Sequence, residues 1–209
     1  GELMALGSFF LIIFESWKSE VIKAGINFFI QSHISVVFLT IGFLMMYHRT
    51  GSFLWSDWTN YQGACGLPFA FVCAGFAIKA GFFPFHTWLP VAHPAAPAHI
   101  SGVMSGVIIK IGIYGLLRSV TVFHVDMVVA GKVILALAAI SGLYGVMMAI
   151  VQHNLKRLLA YHSIENIGII GMGIGLGCIA QGLAMPAIAA LAFGGALLHT
   201  LNHALFKST

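Results

Sequence analysis

The stretch AIKAGFFPFHTWLPVAHPAAPAHISGVMSGVIIKIGIYGLLR, Ala77 to Arg118, decides how the chain is read. It sets Lys79 and Lys110 inside apolar sequence of the kind that crosses a membrane. Between them lie Pro84, Pro90, Pro94 and Pro97, and His86, His93 and His99. A lysine amid hydrocarbon costs about 3 kcal/mol on insertion scales, so each needs a reason to be there. Both are candidate stations for a moving proton or cation.

Working outward, the composition points to lipid as the main solvent. The chain is 59% hydrophobic and 8% charged, with a mean hydropathy of +0.96. A soluble domain carries about a quarter charged residues to face water. The formal charge of +4 includes no long basic run, which argues against a nucleic-acid partner. Cys65, Cys73 and Cys178 form neither a CxxC nor a paired framework and read as small packing residues. No signal peptide is visible. The chain opens at Gly1 in apolar sequence and stops just after a helix-like run, so it is expected to be a fragment of a longer polytopic protein, with residues 1–209 forming a single domain.

A helical span needs about 20 apolar residues, and that length divides the chain into about seven membrane segments of an all-α bundle. The first, Gly1 to Phe14, is truncated; Glu15 to Glu20 then mark a membrane surface with Trp17 at headgroup level. Further spans are expected at Ile26–Tyr47, Gly63–Phe83, Ala98–Leu117, Met127–Val151, Ala160–Ile179 and Met185–Phe206, with an aromatic loop from Ser52 to Gln62. The third is expected to break between Lys79 and Pro84, because proline removes an amide donor and disfavours helix before it. Alternation puts Lys18, Lys23, Lys156 and Arg157 on one side, and Arg49 and Arg118 on the other. The positive-inside bias assigns the first group to the cytoplasm. The spacings Gly102-x-x-x-Gly106 and Gly171-x-x-x-Gly175 allow close helix approach and specify no function.

The charges within these spans carry the functional reading. Glu2 precedes Phe14 by ~18 Å of helix rise, which places it near the midplane if helix continues before it, and at an exposed end if not. Lys79 sits late in the third span beside the break, an arrangement that recurs at ion sites in transporters; the alternative is a lysine snorkelling to the surface. Lys110 lies mid-span among Val107, Ile108, Ile109, Ile111 and Ile113, from where snorkelling is strained. His199, His203 and Lys207 fall at i, i+4 and i+8 on one helical face. Those imidazoles could relay protons, ligate a metal or haem, or pack against satisfied neighbours. His33, and His162 with Glu165, either extend a polar path or sit near a surface. His86, His93 and His99 read as loop or packing residues. No nucleophile, phosphate loop or metal-ligand spacing appears, so no catalytic chemistry, metal or cofactor is expected in this chain.

The blocks AIKAGFFPFHTWLP, AHPAAPAHISG and MSGVIIKIGIYGLLR, then LKRLLAYHSIENIGII and LLHTLNHALFKS, occur in the order seen in the antiporter-like, proton-translocating membrane subunits. That family is shared by respiratory complex I, multi-subunit cation/proton antiporters and energy-converting hydrogenases, and the resemblance spans nearly the whole chain. The wording YHSIENIG most resembles the large membrane subunit of formate hydrogenlyase. The resemblance implies two inverted helical repeats, of which this chain covers the end of one and the start of the next.

It also implies roles. Glu2 in GELM is similar to the family's intramembrane glutamate, Lys79 to its partner lysine on the broken helix, and Lys110 to the next relay lysine. His199, His203 and Lys207 are similar to the relay of the second repeat. Val91 stands where many members carry an acid. The implied function is translocation of protons, or another cation, coupled to electron transfer in a hydrogenase-like or NADH:quinone oxidoreductase-like complex of the bacterial inner membrane. The implied partners are other membrane subunits, a soluble redox arm and the lipid bilayer. A haem- or quinone-binding redox subunit and a passive membrane anchor are the competing readings.

Overall fold

The computed structural model describes residues 2–208, and among them every regular element is helical. α1 (Glu2–Ile12) ends in a short 3₁₀ turn at Ile13–Glu15. α2 (Ser19–Thr50) follows, then α3 (Trp55–Thr59) and α4 (Gly66–Ala80). Next come α5 (Leu89–Ala95), α6 (Ala98–Val103), a π turn at Met104–Ile108 and α7 (Ile109–Val122). α8 (Met127–Ile150), α9 (Leu155–Gly182) and α10 (Pro186–Ser208) complete the chain. Five helical stretches are long and apolar enough to cross a membrane, and α4 is a shorter apolar helix. With α1 these make up the expected set of spans.

The bundle is organised around two packed groups. α2, α4 and α7 pack side by side with α1 against α2, while α9 lies between α8, α10 and α5. The core of α9 is a column of Ile164, Ile167, Ile170 and Ile174, all fully buried. Glycines permit the closest approaches. A Cβ on Gly168 would lie 2.5 Å from the backbone nitrogen of Gly142 on α8, and one on Gly175 would lie 2.7 Å from that of Leu135. Gly102 and Gly106 face α10 in the same way, near the carbonyl of Lys207 and the hydroxyl of Ser208. Both small-residue spacings read from the sequence therefore sit at helix contacts.

Four boundaries differ from the sequence reading, each for a local reason. α2 covers 32 residues, about 48 Å, so it carries Glu20, Lys23, His48 and Arg49 beyond a hydrocarbon core of about 30 Å. α9 starts at Leu155 because the side chain of Asn154 caps it, accepting from the amide of Arg157. The Ser52–Gln62 segment is folded onto the bundle: Trp58 is 1% exposed and donates its indole N–H to the Ser52 carbonyl at 2.8 Å. The fourth span is not a uniform α-helix, since the π turn interrupts it just before Lys110.

The break after α4 is made by Gly81 rather than by Pro84. Gly81 adopts φ +76°, its amide bonds to the Ile78 carbonyl, and the amide of Phe82 bonds to the Ala77 carbonyl. This is the Schellman pattern, and it satisfies the last carbonyls of α4. The indole N–H of Trp88 takes the Ile78 carbonyl as well, at 3.2 Å, tying the restart of the chain to the end of α4. Lys79 thus sits in the last turn of a helix that stops inside the bundle.

The charged ends separate by side. Glu15, Lys18, Glu20, Lys156 and Arg157 line one cleft. At the other end the Arg118 guanidinium lies 6.0 Å from the Trp55 ring centre, and Arg49 donates to the Ala64 carbonyl.

Candidate functional site

The candidate residues fall into two neighbourhoods. In the first, Lys79 borders a cavity of about 40 Å³ lined by Met4 and Ala5 of α1, by Phe28, Gln31 and Ser32 of α2, and by Trp88, Ile108 and Ile111. Room of that size accommodates about one or two waters. Glu2, one turn before Ala5, is close enough for its charge to act on Lys79. Its ion-pair partner among the described residues is His33, whose Nε2 lies 3.5 Å from Oε2. The His33 Nδ1 faces the Phe29 carbonyl at 2.9 Å. On the same helix Gln31 donates to Asn27 at 3.1 Å and to Thr87 at 2.5 Å. Gln31 and Asn27 were missed in the sequence; their i, i+4 spacing within an apolar span was the available signal.

The second neighbourhood is a hydrogen-bonded cluster. Lys110 follows the π turn, and its Nζ donates to the Ser105 carbonyl at 2.5 Å while lying 2.6 Å from Nδ1 of His203 on α10. A π turn re-aims carbonyls out of the regular α-ladder, which makes Ser105 reachable from five residues on. The Ser105 hydroxyl meets that of Ser163 on α9 at 2.8 Å. Ser163 donates to the Leu159 carbonyl at 3.0 Å, and Lys207 donates to the same oxygen at 2.9 Å. Lys110 and Lys207 thus approach the same serine pair from opposite ends, Lys207 through the Leu159 carbonyl shared with Ser163 and Lys110 at the backbone carbonyl, not the hydroxyl, of Ser105. Ser105, Ser163 and Leu159 carried no sequence signal, since serine recurs in helices of every kind.

His199 connects elsewhere. Its Nε2 lies 2.9 Å from Oδ1 of Asn166, whose amide nitrogen donates to the His162 carbonyl at 2.7 Å. Nδ1 of His162 is 2.6 Å from Oε2 of Glu165. His162 and Glu165 thus form a pair, and the charge of Glu165 acts on both His199 and Lys207. His203 is fully buried, and its Nε2 has no protein partner among the described residues. No hydrogen bond joins Lys79 to Lys110 among the described residues. Ile108 and Ile111, which flank Lys110 in sequence, line the Lys79 cavity.

Of the other histidines, His86 stacks on Phe83 with ring centres 5.4 Å apart, and buried His93 pairs with Ser101 at 2.6 Å. Each keeps one buried ring nitrogen, Nδ1 of His86 and Nε2 of His93, without a protein partner among the described residues.

A broken apolar helix ending beside Lys79, a lysine within a second apolar helix and the histidines of α10 define the class: a polytopic membrane bundle with ionisable groups between its helices. The chain belongs to the NADH:quinone oxidoreductase/Mrp antiporter transmembrane family, which it matches over residues 2–209. It is 40% identical to hydrogenase-4 component B of Escherichia coli, over 99% of this chain and 31% of that protein. It is 43% identical to formate hydrogenlyase subunit 3 of the same organism, over 64% of this chain and 22% of that one. Among solved structures, an archaeal membrane-bound sulfane sulfur reductase, a respiratory membrane complex, matches with a TM-score of 0.86 and 25% identity. That match covers 99% of this chain and 42% of the other. The chain spans less than half the length of each of these relatives.

Proposed function

We propose that this chain is a single proton-translocating domain of an energy-converting membrane complex. Its relatives include a hydrogenase component and a formate hydrogenlyase subunit, which supports assembly with other membrane subunits and with a soluble redox arm in a bacterial inner membrane. The observation that carries the reading is the contact of half-buried Lys110 with fully buried His203, one turn from Lys207, between apolar helices where charge is costly.

The route begins at Glu2 and Lys79. On this route the Glu2 carboxylate on α1 attracts the Lys79 ammonium at the α4 break; when that carboxylate turns to His33, the ammonium, which has no hydrogen-bond partner among the described residues, passes on a proton. That proton moves through water admitted past Ile108 and Ile111 to Lys110. From Lys110 it passes to His203, with His199 and Lys207 as further stations and His162–Glu165 at their side. The haem-ligand alternative has less support, because His199 and His203 both lie on α10, whereas a b-type haem takes facing histidines from separate helices.

The test uses the intact complex in sealed vesicles, with proton uptake measured for Lys79→Ala and Lys110→Ala. Loss of translocation in both, with electron transfer by the redox arm still present, is expected. Retention of proton uptake in both variants sinks the route. Running the same assay across sodium concentrations separates proton from sodium as the moving ion.

A further inference from the structure

The contacts of Asn166 decide which nitrogen of His199 is open to protons. Amide orientation is inferred from hydrogen-bond chemistry, and here that chemistry leaves one choice. A backbone carbonyl can only accept, so the Asn166 group 2.7 Å from the His162 carbonyl is Nδ2. The other end of the amide, 2.9 Å from Nε2 of His199, is then Oδ1, which also can only accept. Neutral His199 must donate to it and is held as the Nε2–H form. An amide oxygen is a poor proton acceptor, so a proton cannot leave His199 through that contact.

We propose that Asn166 is a positioning residue that fixes the Nε2–H tautomer of His199 and closes that nitrogen to proton traffic. His199 then takes up a proton at Nδ1, becomes an imidazolium, and gives the proton back from Nδ1. It stores charge beside the line rather than passing it across the ring. His203 differs in the nitrogen it presents: its Nδ1 lies against Lys110, so the contact with the lysine is made on the side that Asn166 leaves open in His199. This rests on the proton-relay reading for its purpose, but the tautomer itself does not.

The experiment is solid-state 15N NMR of the assembled complex containing ring-labelled histidine, at a pH where His199 is neutral, with its resonances assigned by their loss in His199→Gln. The parent should show a protonated, hydrogen-bonded Nε2 and an unprotonated Nδ1 as one species. Asn166→Leu should move the Nε2 resonance and let the second tautomer appear. An Nδ1–H form in the parent overturns the proposal without any variant being needed. So does a spectrum of Asn166→Leu that superimposes on the parent. If the spectra behave as stated while Lys79→Ala and Lys110→Ala still translocate, the relay fails and the role of Asn166 stands.

Discussion

The Lys79 and Lys110 neighbourhoods hold the same kind of charge in opposite ways. Lys110 is wired: its ammonium has the Ser105 carbonyl and the His203 imidazole in contact. Lys79 is loose: among the described residues its Nζ has no hydrogen-bond partner, and it borders a small cavity at the end of a helix that stops inside the bundle. A wired lysine is held in one place by short directional contacts. A loose one can change partners at little cost. On the proposed route, that difference puts the mobile step at the α4 break and the receiving step at Lys110.

That contrast predicts unequal tolerance for a change that preserves charge, and this is the largest effect expected. Arginine brings a rigid planar fork in place of a compact ammonium. Lys110→Arg cannot keep both the Ser105 carbonyl and Nδ1 of His203 at their present distances, so translocation should fall by roughly 10²-fold, the scale of losing one positioned proton-transfer group. Lys79→Arg, with open room beside it, should retain a measurable fraction of activity. Vesicle proton uptake compares the two directly. Equal loss in both variants breaks the contrast.

The two neighbourhoods are also joined mechanically, at Gly112. A Cβ there would lie 2.5 Å from the backbone nitrogen of Ala80 and 2.6 Å from the Phe76 carbonyl, so α7 touches the last turn of α4 beside Lys79. Gly112→Leu must push that turn away. Overpacking of this kind costs about 1–3 kcal/mol, and a lowered thermal midpoint of the purified complex should report it. The displacement also enlarges the gap between Lys79 and Lys110, so uptake should drop by more than the stability loss explains. Full activity at a reduced midpoint would separate packing from transfer and leave the α4 break without its proposed role.

Much of the fold lay open in the sequence, because membrane helices announce themselves by length and hydropathy and a charge within one is conspicuous. Lys79, Lys110, His199, His203 and Lys207 stood out for that reason. What joins them did not. Ser105, Ser163 and Asn166 are ordinary helix residues until α7, α9 and α10 are brought together, and no periodicity along one helix says which neighbour it meets. The π turn leaves no composition mark. At the break, proline drew the reading while Gly81, a plain C-cap signal, ends the helix; an αL cap needs only a residue without Cβ, whereas Pro84 lies four residues beyond the end of α4 at Ala80. Glu2 was matched with Lys79 on family resemblance, and the geometry adds His33 as the nearer partner.

His33 supplies the smallest effect and the finest test of the contrast. Its pair with Glu2 spans 3.5 Å, and the two side chains are 45% and 44% exposed. Pairs this open are worth about 0–1 kcal/mol, because solvent or neighbouring groups take over what the partner provided. His33→Ala should therefore leave the thermal midpoint nearly unchanged. If the first neighbourhood is loose, Glu2 then has one competitor fewer for Lys79, and uptake should change by no more than about 2-fold, the scale of a few tenths of a kcal/mol. A loss as deep as that of Lys110→Arg would mean that His33 is itself a station. The Glu2 end would then be wired like the other, and the contrast between the two halves would have to be given up.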